Sequence, residues 1–347
     1  MTASLLPPSS PEWRAALQRA SYDIYQLPEY VTADALNGGG DPAAFHWREG
    51  DQEMLLPLVV REFLDGKAVD VSSSYGYASP IVSPGLDNAG WNKACAALLE
   101  TLESLDVVSC FVRLHPLLAA DVEAMERIGV IQYHGDTVNI DLCQSEEALW
   151  SLMRQNHRRD VTKAAKAGYD VFVDEDWSHM DEFIDMYYQT MRRVNAAAYY
   201  FFHPDYFERL RAELGGNVYL MFASKSGQLA SGAIFTEAGG IAGYHLGATQ
   251  DEHLTHAPAK LVMNYARQWA KARGNKCLHL GGGVGGSSEP LLRYKLGFSN
   301  DRRPFRTWRV VVDEARYRDL CALTHPEIDP ADRSSFFPLY RAPAVEQ

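Results

Sequence analysis

The stretch from Lys276 to Phe298, KCLHLGGGVGGSSEPLLRYKLGF, constrains this chain more than any other. Cys277, Leu278 and Leu280 read as a short buried strand. The run then breaks into glycines and serines and restarts as a helix at Glu289-Pro290, a position where the missing proline N–H is no loss. Arg293, Tyr294 and Lys295 follow before Gly297 ends the helix. A strand, a bare-backbone bend and a basic helix let backbone N–H groups approach a ligand closely. They also present the positive end of a helix to anything anionic. Such an arrangement can hold a phosphate or a developing oxyanion; the alternative is a glycine-rich connection with no ligand.

Gly281, Gly283 and Gly286 also satisfy the spacing of a dinucleotide fingerprint, with Asp301 downstream. Only 61 of the 347 residues follow Gly286. That is too few to complete a doubly wound sheet of two mononucleotide halves, so a nicotinamide or flavin site is set aside. No Lys-Ser/Thr follows the glycines, so this is not a P-loop. There is likewise no HExxH, CxxC or GxSxG, and no metal site is expected.

The length allows two domains with sizeable cores. Shares of 46% apolar and 22% charged residues fit a soluble globular protein. No apolar run is long enough to span a membrane, and the N-terminus lacks the basic start and apolar core of a secretory signal. Five scattered cysteines (Cys95, Cys110, Cys143, Cys277, Cys321) read as thiols in a reducing cytoplasm; Cys277 reads as core rather than nucleophile. A net charge of −12 argues against broad nucleic-acid binding but leaves room for a local basic groove. A monomer is expected.

Along the first half, a helix opens at Ser10-Pro11, and strands are expected at 44–47, 54–63, through Val71, at 107–114 and at 137–142. Helices are expected at 89–102 and around 121–127. The segment Ser72–Gly85 is neither helix nor regular strand, and Tyr75 and Tyr77 within it are candidate pocket residues; an ordinary surface loop is the alternative. A boundary falls near Cys143–Ser145. Ser145 caps a helix that becomes basic (Arg154, His157, Arg158, Arg159, Lys163, Lys166) and stops at Gly168. Arg159, Lys163 and Lys166 share one face at i, i+4 and i+7, either as a solvated face or as a phosphate-recognition surface. A strand at 169–173, helices at 178–194 and 204–214, a three-strand meander over 217–249, a helix at 258–273 and a last strand at 305–312 follow. A polar tail ends the chain.

The order basic helix, helix, meander, long helix, strand, glycine loop, helix looks like the acyltransferase fold of the GNAT type. LWSLMRQNHRRDVTKAAKAGYDV, VYLMFASKSGQLASGAIF, AGYHLGAT, APAKLVMNYARQWAKARG, LHLGGG and EPLLRYKLGF together resemble the FemABX family. That family contains tRNA-dependent aminoacyltransferases built from two GNAT-like domains, with acetyltransferases among its looser relatives. The resemblance covers Leu149–Val312 well and the first half more weakly, through YGYASPIV and FVRLHP. It implies a mixed α/β (α+β) fold of two tandem GNAT-like domains, each a curved mixed sheet flanked by helices. The first would span 1–144, with 313–347 packing back on it, and the second 145–312.

The resemblance further implies that the first domain holds the acceptor and that the 3′ end of a charged tRNA enters the second. Lys295, after Tyr294, matches the family lysine that stabilises the reaction centre. The long helical-hairpin insertion of some members is missing here, and Tyr294 stands where phenylalanine is common. Aminolysis of an ester or thioester passes through an oxyanion to which Lys295 can donate. His245 is the best base by its ordinary pKa, its alternative being a satisfied strand-end histidine; Glu289 is a weaker candidate. Arg158, Arg159, Lys163, Gly281, Gly282 and Gly283 are candidates for donor phosphate, and Tyr244 and Tyr294 for stacking or core packing. No permanently bound cofactor is expected. Three functions compete: an aminoacyl-tRNA-dependent aminoacyltransferase acting on a peptide-like or cell-wall-precursor amine, an acyl-CoA-dependent N-acyltransferase, and a non-catalytic binding module.

Overall fold

The computed structural model describes residues 2–283, 289–332 and 336–343, apart from the side chains of Asn37, Tyr199 and Glu289. Its contacts divide the chain into two units, Met1–His134 with Pro304–Gln347, and Gly135–Arg303. The chain passes from the first to the second inside strand β7 (Val130–Asp141) and returns inside β13 (Asp301–Val311). The sequence put this passage later, after residue 144. It comes earlier because Thr137–Asp141 of β7 pair with the second unit's β12 (Cys277–Gly282).

In the first unit, β1 (Thr2–Leu6), β2 (Asp41–Glu49), β3 (Gln52–Phe63), β4 (Ala68–Ser72), β6 (Val107–Leu114) and β13 are neighbours in that order, with β5 (Ile81–Val82) beside β3. All pairs are antiparallel except β4 with β6. The period-2 rule explains why β3 is buried on both sides. Met54, Leu56 and Leu58 enter one core with helix α3 (Asn88–Ser104), while Leu55 and Val59 enter another with α1 (Pro11–Arg19) and α2 (Pro28–Gly38). Helix α3 contributes Trp91, Ala94, Cys95, Leu98 and Leu102, a single stripe at helical spacing. Short α4 (Val122–Glu126), capped by Asp121, adds Ala124 and Met125 to the same core.

Sequence reasoning overlooked α2, whose N-cap Leu27 makes no side-chain bond and whose apolar stripe is interrupted. The C-terminal segment is also more than a polar tail. Asp313 caps α11 (Glu314–Thr324), whose Tyr317 and Cys321 pack with Phe337, Leu339 and Tyr340 against Ala68 and Val108. Only those two residues of α11 are buried, too few to reveal an amphipathic pattern.

In the second unit the order is β7, β12, β11 (Ile241–Thr249), β10 (Gln228–Ala238), β9 (Val218–Lys225) and β8 (Asp170–Val173). One face carries α5 (Glu146–Leu152), α6 (Gln155–Lys166), α9 (Pro258–Ala272) and α10 (Glu289–Lys295), around Val138, Phe235, Leu278, Leu280 and Phe298. Helices α7 (Met180–Arg193) and α8 (Pro204–Leu214) lie on the other, where Phe183 reaches Phe222 and Phe207. The single helix expected from Ser145 to Gly168 is two. Met153 and Arg154 are extended, and the Arg154 N–H donates to Gly297 O (2.9 Å), so the chain leaves the helix to bond the end of α10. Among the described residues no helix is long and apolar enough to cross a membrane.

Candidate active site

Strands β11 and β12 are parallel neighbours joined through α9, but they pair only over Ile241–Gly243 against Cys277–His279. Beyond that β11 continues to Thr249 and β12 to Gly282, so the two part. In the same region β11 carries a bulge against β10. Leu246 lies opposite Ile234 and Tyr244 opposite Phe235, which leaves His245 as the extra residue. The insertion brings Tyr244 and Gly247 to one face, and the Tyr244 hydroxyl sits 1.9 Å from where a Gly247 Cβ would be. Only glycine admits the ring there.

Lys295, in the last turn of α10, extends into this region with only 6% of its surface exposed. Its Nζ donates to Gly282 O (2.7 Å) and stands 5.7 Å from the centre of the Tyr244 ring. An ammonium has three donors, and among the described residues Gly282 O takes one of them. Burial disfavours the charged form and pulls the Lys295 pKa down to about 7. The carbonyl is available because Gly281 takes a left-handed conformation (φ 71°) at a register shift between β12 and β7.

The end of α10 is held from α6. His157, buried, bonds Tyr294 O through Nε2 (3.0 Å), and a Cβ on Gly297 would lie 2.0 Å from that nitrogen. Desolvation keeps His157 neutral, with its pKa lowered to about 4. The Tyr294 hydroxyl donates to Ala259 O in the first turn of α9 (3.3 Å), and its ring lies against Phe298. Tyr294 therefore anchors α10, and Tyr244 lines the parting of the strands.

The structure does not bring His245 to Lys295. Tyr244 packs toward Phe235 and Lys295, whereas the His245 ring stacks on Tyr206 of α8, with Nε2 2.7 Å from the Tyr206 hydroxyl. Burial lowers the His245 pKa to about 4, so it is a far weaker base than its residue type promises. Glu289 opens α10 but its side chain is not described, and Gly286 lies outside the described residues. Asp301 has no nucleotide-like setting: it accepts from Asn139 Nδ2 (3.1 Å) and pairs with Arg303.

Arg158, Arg159 and Lys163 line an open groove of about 590 Å3 along α6, with Trp150, Gln155, Thr162 and Lys166. Asp160 points away to Lys260 of α9 (2.6 Å), which fixes α6 with its cations outward. Among the described residues no set of three His, Cys, Asp or Glu side chains could hold a metal ion.

In the first unit the loop bearing Tyr75 and Tyr77 is tied down from α2 and from the turn before it. Asp34 accepts the Tyr75 N–H (3.0 Å), the Tyr30 hydroxyl donates to Tyr75 O (3.1 Å), and Gln26 Nε2 donates to Tyr77 O and Ser79 O. Between the tyrosines, Gly76 (φ 91°) has no room for a Cβ, which would fall 2.1 Å from the Tyr25 ring. Sequence reasoning placed His157 only in a basic helix and Gly297 only as a helix stop, and it passed over Tyr206. The spacing His157, Val161, Ala164 along α6 was the available sign that the histidine faces inward.

Residues 151–296 match the sequence model of a family described as "Acetyltransferase (GNAT) domain". No curated protein sequence matches the chain significantly. Among solved structures, FemX superposes with a TM-score of 0.71 at 13% identity, covering 92% of this chain and 99% of that one. A tandem GNAT protein from the clavulanic acid biosynthesis pathway does so with a TM-score of 0.50 at 13% identity, covering 90% and 99%. By fold, this chain is similar to FemX and to a tandem GNAT protein, and its residues 151–296 match a GNAT acetyltransferase domain.

Proposed function

We propose that the chain transfers an aminoacyl group from aminoacyl-tRNA to an amine of a peptide-like or cell-wall-precursor acceptor, with Lys295 as the electrostatic catalyst. The observation that carries this reading is the Lys295 ammonium, desolvated where β11 and β12 part, with Gly282 O its one hydrogen-bond acceptor among the described residues. The acceptor nitrogen attacks the ester carbonyl carbon, forming C–N and an oxyanion. The C–O bond to the ribose then breaks, and the proton lost by the amine goes to the leaving oxygen. A fixed ammonium facing the oxyanion needs no covalent enzyme intermediate. One such donor is worth roughly 10²–10³ in rate. The cationic groove on α6 supports a nucleic-acid donor, since Arg158, Arg159, Lys163 and Lys166 are concentrated there in a chain of net charge −12.

Acyl-CoA is the second reading, favoured by the match to a GNAT acetyltransferase domain; the bond broken is then C–S, and the thiol takes the proton. The two separate in one experiment. The protein is incubated with amine acceptors and either tRNA charged with labelled amino acids or labelled acetyl-CoA. RNase-sensitive transfer of the amino acid supports the first reading, and transfer from acetyl-CoA alone replaces it with the second. No transfer by the wild type from either donor would leave a non-catalytic module, and Lys295→Met matching an active wild type would remove the lysine from the chemistry.

A further inference from the structure

The first unit contains a guanidinium that its own fold leaves without an ion pair. Arg113, near the end of β6, is half-buried; it lies 4.8 Å over the Phe111 ring and donates a single long bond, 3.3 Å, to Ser73 O. A guanidinium has five donors in a rigid planar fork. Among the described residues no carboxylate oxygen comes within 4.0 Å of it. The neighbouring arginine differs: Arg61 is paired with Asp70 at 2.7 Å. Asp34 is the carboxylate that acts on Arg113 from a distance, and one Asp34 oxygen is already committed to the Tyr75 N–H.

The surroundings of Arg113 are built. Its backbone N–H is held by Ser73 Oγ (3.0 Å), at the head of the same loop that presents Tyr75 and Tyr77. Thr307 faces Arg113 across the β6–β13 ladder and is hydrogen-bonded to His134 Nε2 (2.8 Å). Phe305, two residues earlier on the same face, meets the Tyr77 ring at 5.3 Å and the His134 ring at 5.5 Å. Burial and the fields of Arg309 and Arg113 lower the His134 pKa, so this imidazole adds no positive charge at pH 7. Two guanidiniums, Arg113 and Arg309, act on this region, with Asp34 behind Arg113. The planar fork of Arg113 matches the two oxygens of a carboxylate, and Asp34 opposes any further negative charge.

We infer that Arg113 takes the carboxylate of the acyl acceptor, its fork reaching both oxygens while Tyr75, Tyr77 and Phe305 flank the adjoining apolar part of the molecule. The acceptor is then an amine that also bears a free carboxylate. That the ligand is the acceptor rests on the transferase reading; the anion site itself does not.

The probe is N-acetylphenylalanine, with its amide as control, titrated into the full-length protein while the Arg113 Nε–H signal is followed by NMR. The acid should move that signal and bind at least about tenfold more tightly than the amide, about 1.4 kcal/mol. Arg113→Gln should erase the preference, and Arg113→Lys, which keeps the charge and loses the fork, should recover only part of it. Lys295→Met should titrate as wild type, so failed transfer and a failed anion site are read separately. Equal binding of acid and amide, no movement of the Arg113 signal at millimolar acid, or stronger binding of inorganic phosphate would overturn the inference. Should Arg113→Gln not fold, the acid-to-amide comparison on the wild type decides alone.

Discussion

Lys295→Met should stabilise the protein in a pH-dependent way. In the fold the Lys295 pKa is about 7, against its ordinary 10.5 in an open chain. Between those values the unfolded chain holds a proton that the folded one lacks. Stability of the wild type therefore rises with pH across that window, at up to about 1.36 kcal/mol per pH unit for one proton. Folded Lys295 is half-titrated at pH 7, so the gain from pH 7 to pH 9 is about 2 kcal/mol. Methionine fills a similar volume and titrates nowhere. Urea unfolding of both proteins at pH 6, 7 and 9 should show the difference between them changing by only a few tenths of a kcal/mol from pH 6 to 7. By pH 9 it should have moved about 2 kcal/mol in favour of the wild type. Curves that stay parallel from pH 7 to 9 would mean the ammonium is as well solvated in the fold as outside it, and the desolvation argument would fail.

Gly297→Ala places a Cβ 2.0 Å from His157 Nε2 and should cost about 2 kcal/mol or more, read as a lowered urea midpoint. Its cost should shrink in a His157→Ala background; equal costs in both would dissociate the two residues. Gly76→Ala combines a φ of 91° with a Cβ 2.1 Å from the Tyr25 ring, and should cost a further about 2–3 kcal/mol in the first unit. A stable Gly76→Ala protein would contradict the packing of that loop. Replacing Arg158, Arg159 and Lys163 together by Gln should reduce the slope of log affinity for tRNA against log salt by about 2–3. An unchanged slope would remove α6 from the donor site.

Much of this was legible from residues because the relevant rules are local. Ser10, Asp121 and Ser145 cap helices as their types suggest, and α3 follows from its stripe. The strand–glycine–helix order around Lys295 follows from Cys277, Gly281, Pro290 and Gly297. What could not be read depends on tertiary partners. The break at Met153–Arg154 exists because Gly297 O accepts a hydrogen bond from another part of the unit. His245 resembles a base by type, but a one-residue bulge turns it to Tyr206, away from the lysine. Arg113 lies in FVRLHP, one of the segments that carry the resemblance, but nothing in the sequence marks it as unpaired. Its distinction is that Asp34 is spent on a loop amide and Asp70 on Arg61, which is visible only once those elements are packed.

The measurement that bears most directly on the Lys295 ammonium is kcat for Lys295→Met against wild type, with the active donor at saturation and pH 6.5, where the lysine is mostly charged. The account predicts a loss of about 10²–10³ in kcat with KM little changed. A variant within a few-fold of wild type would contradict it.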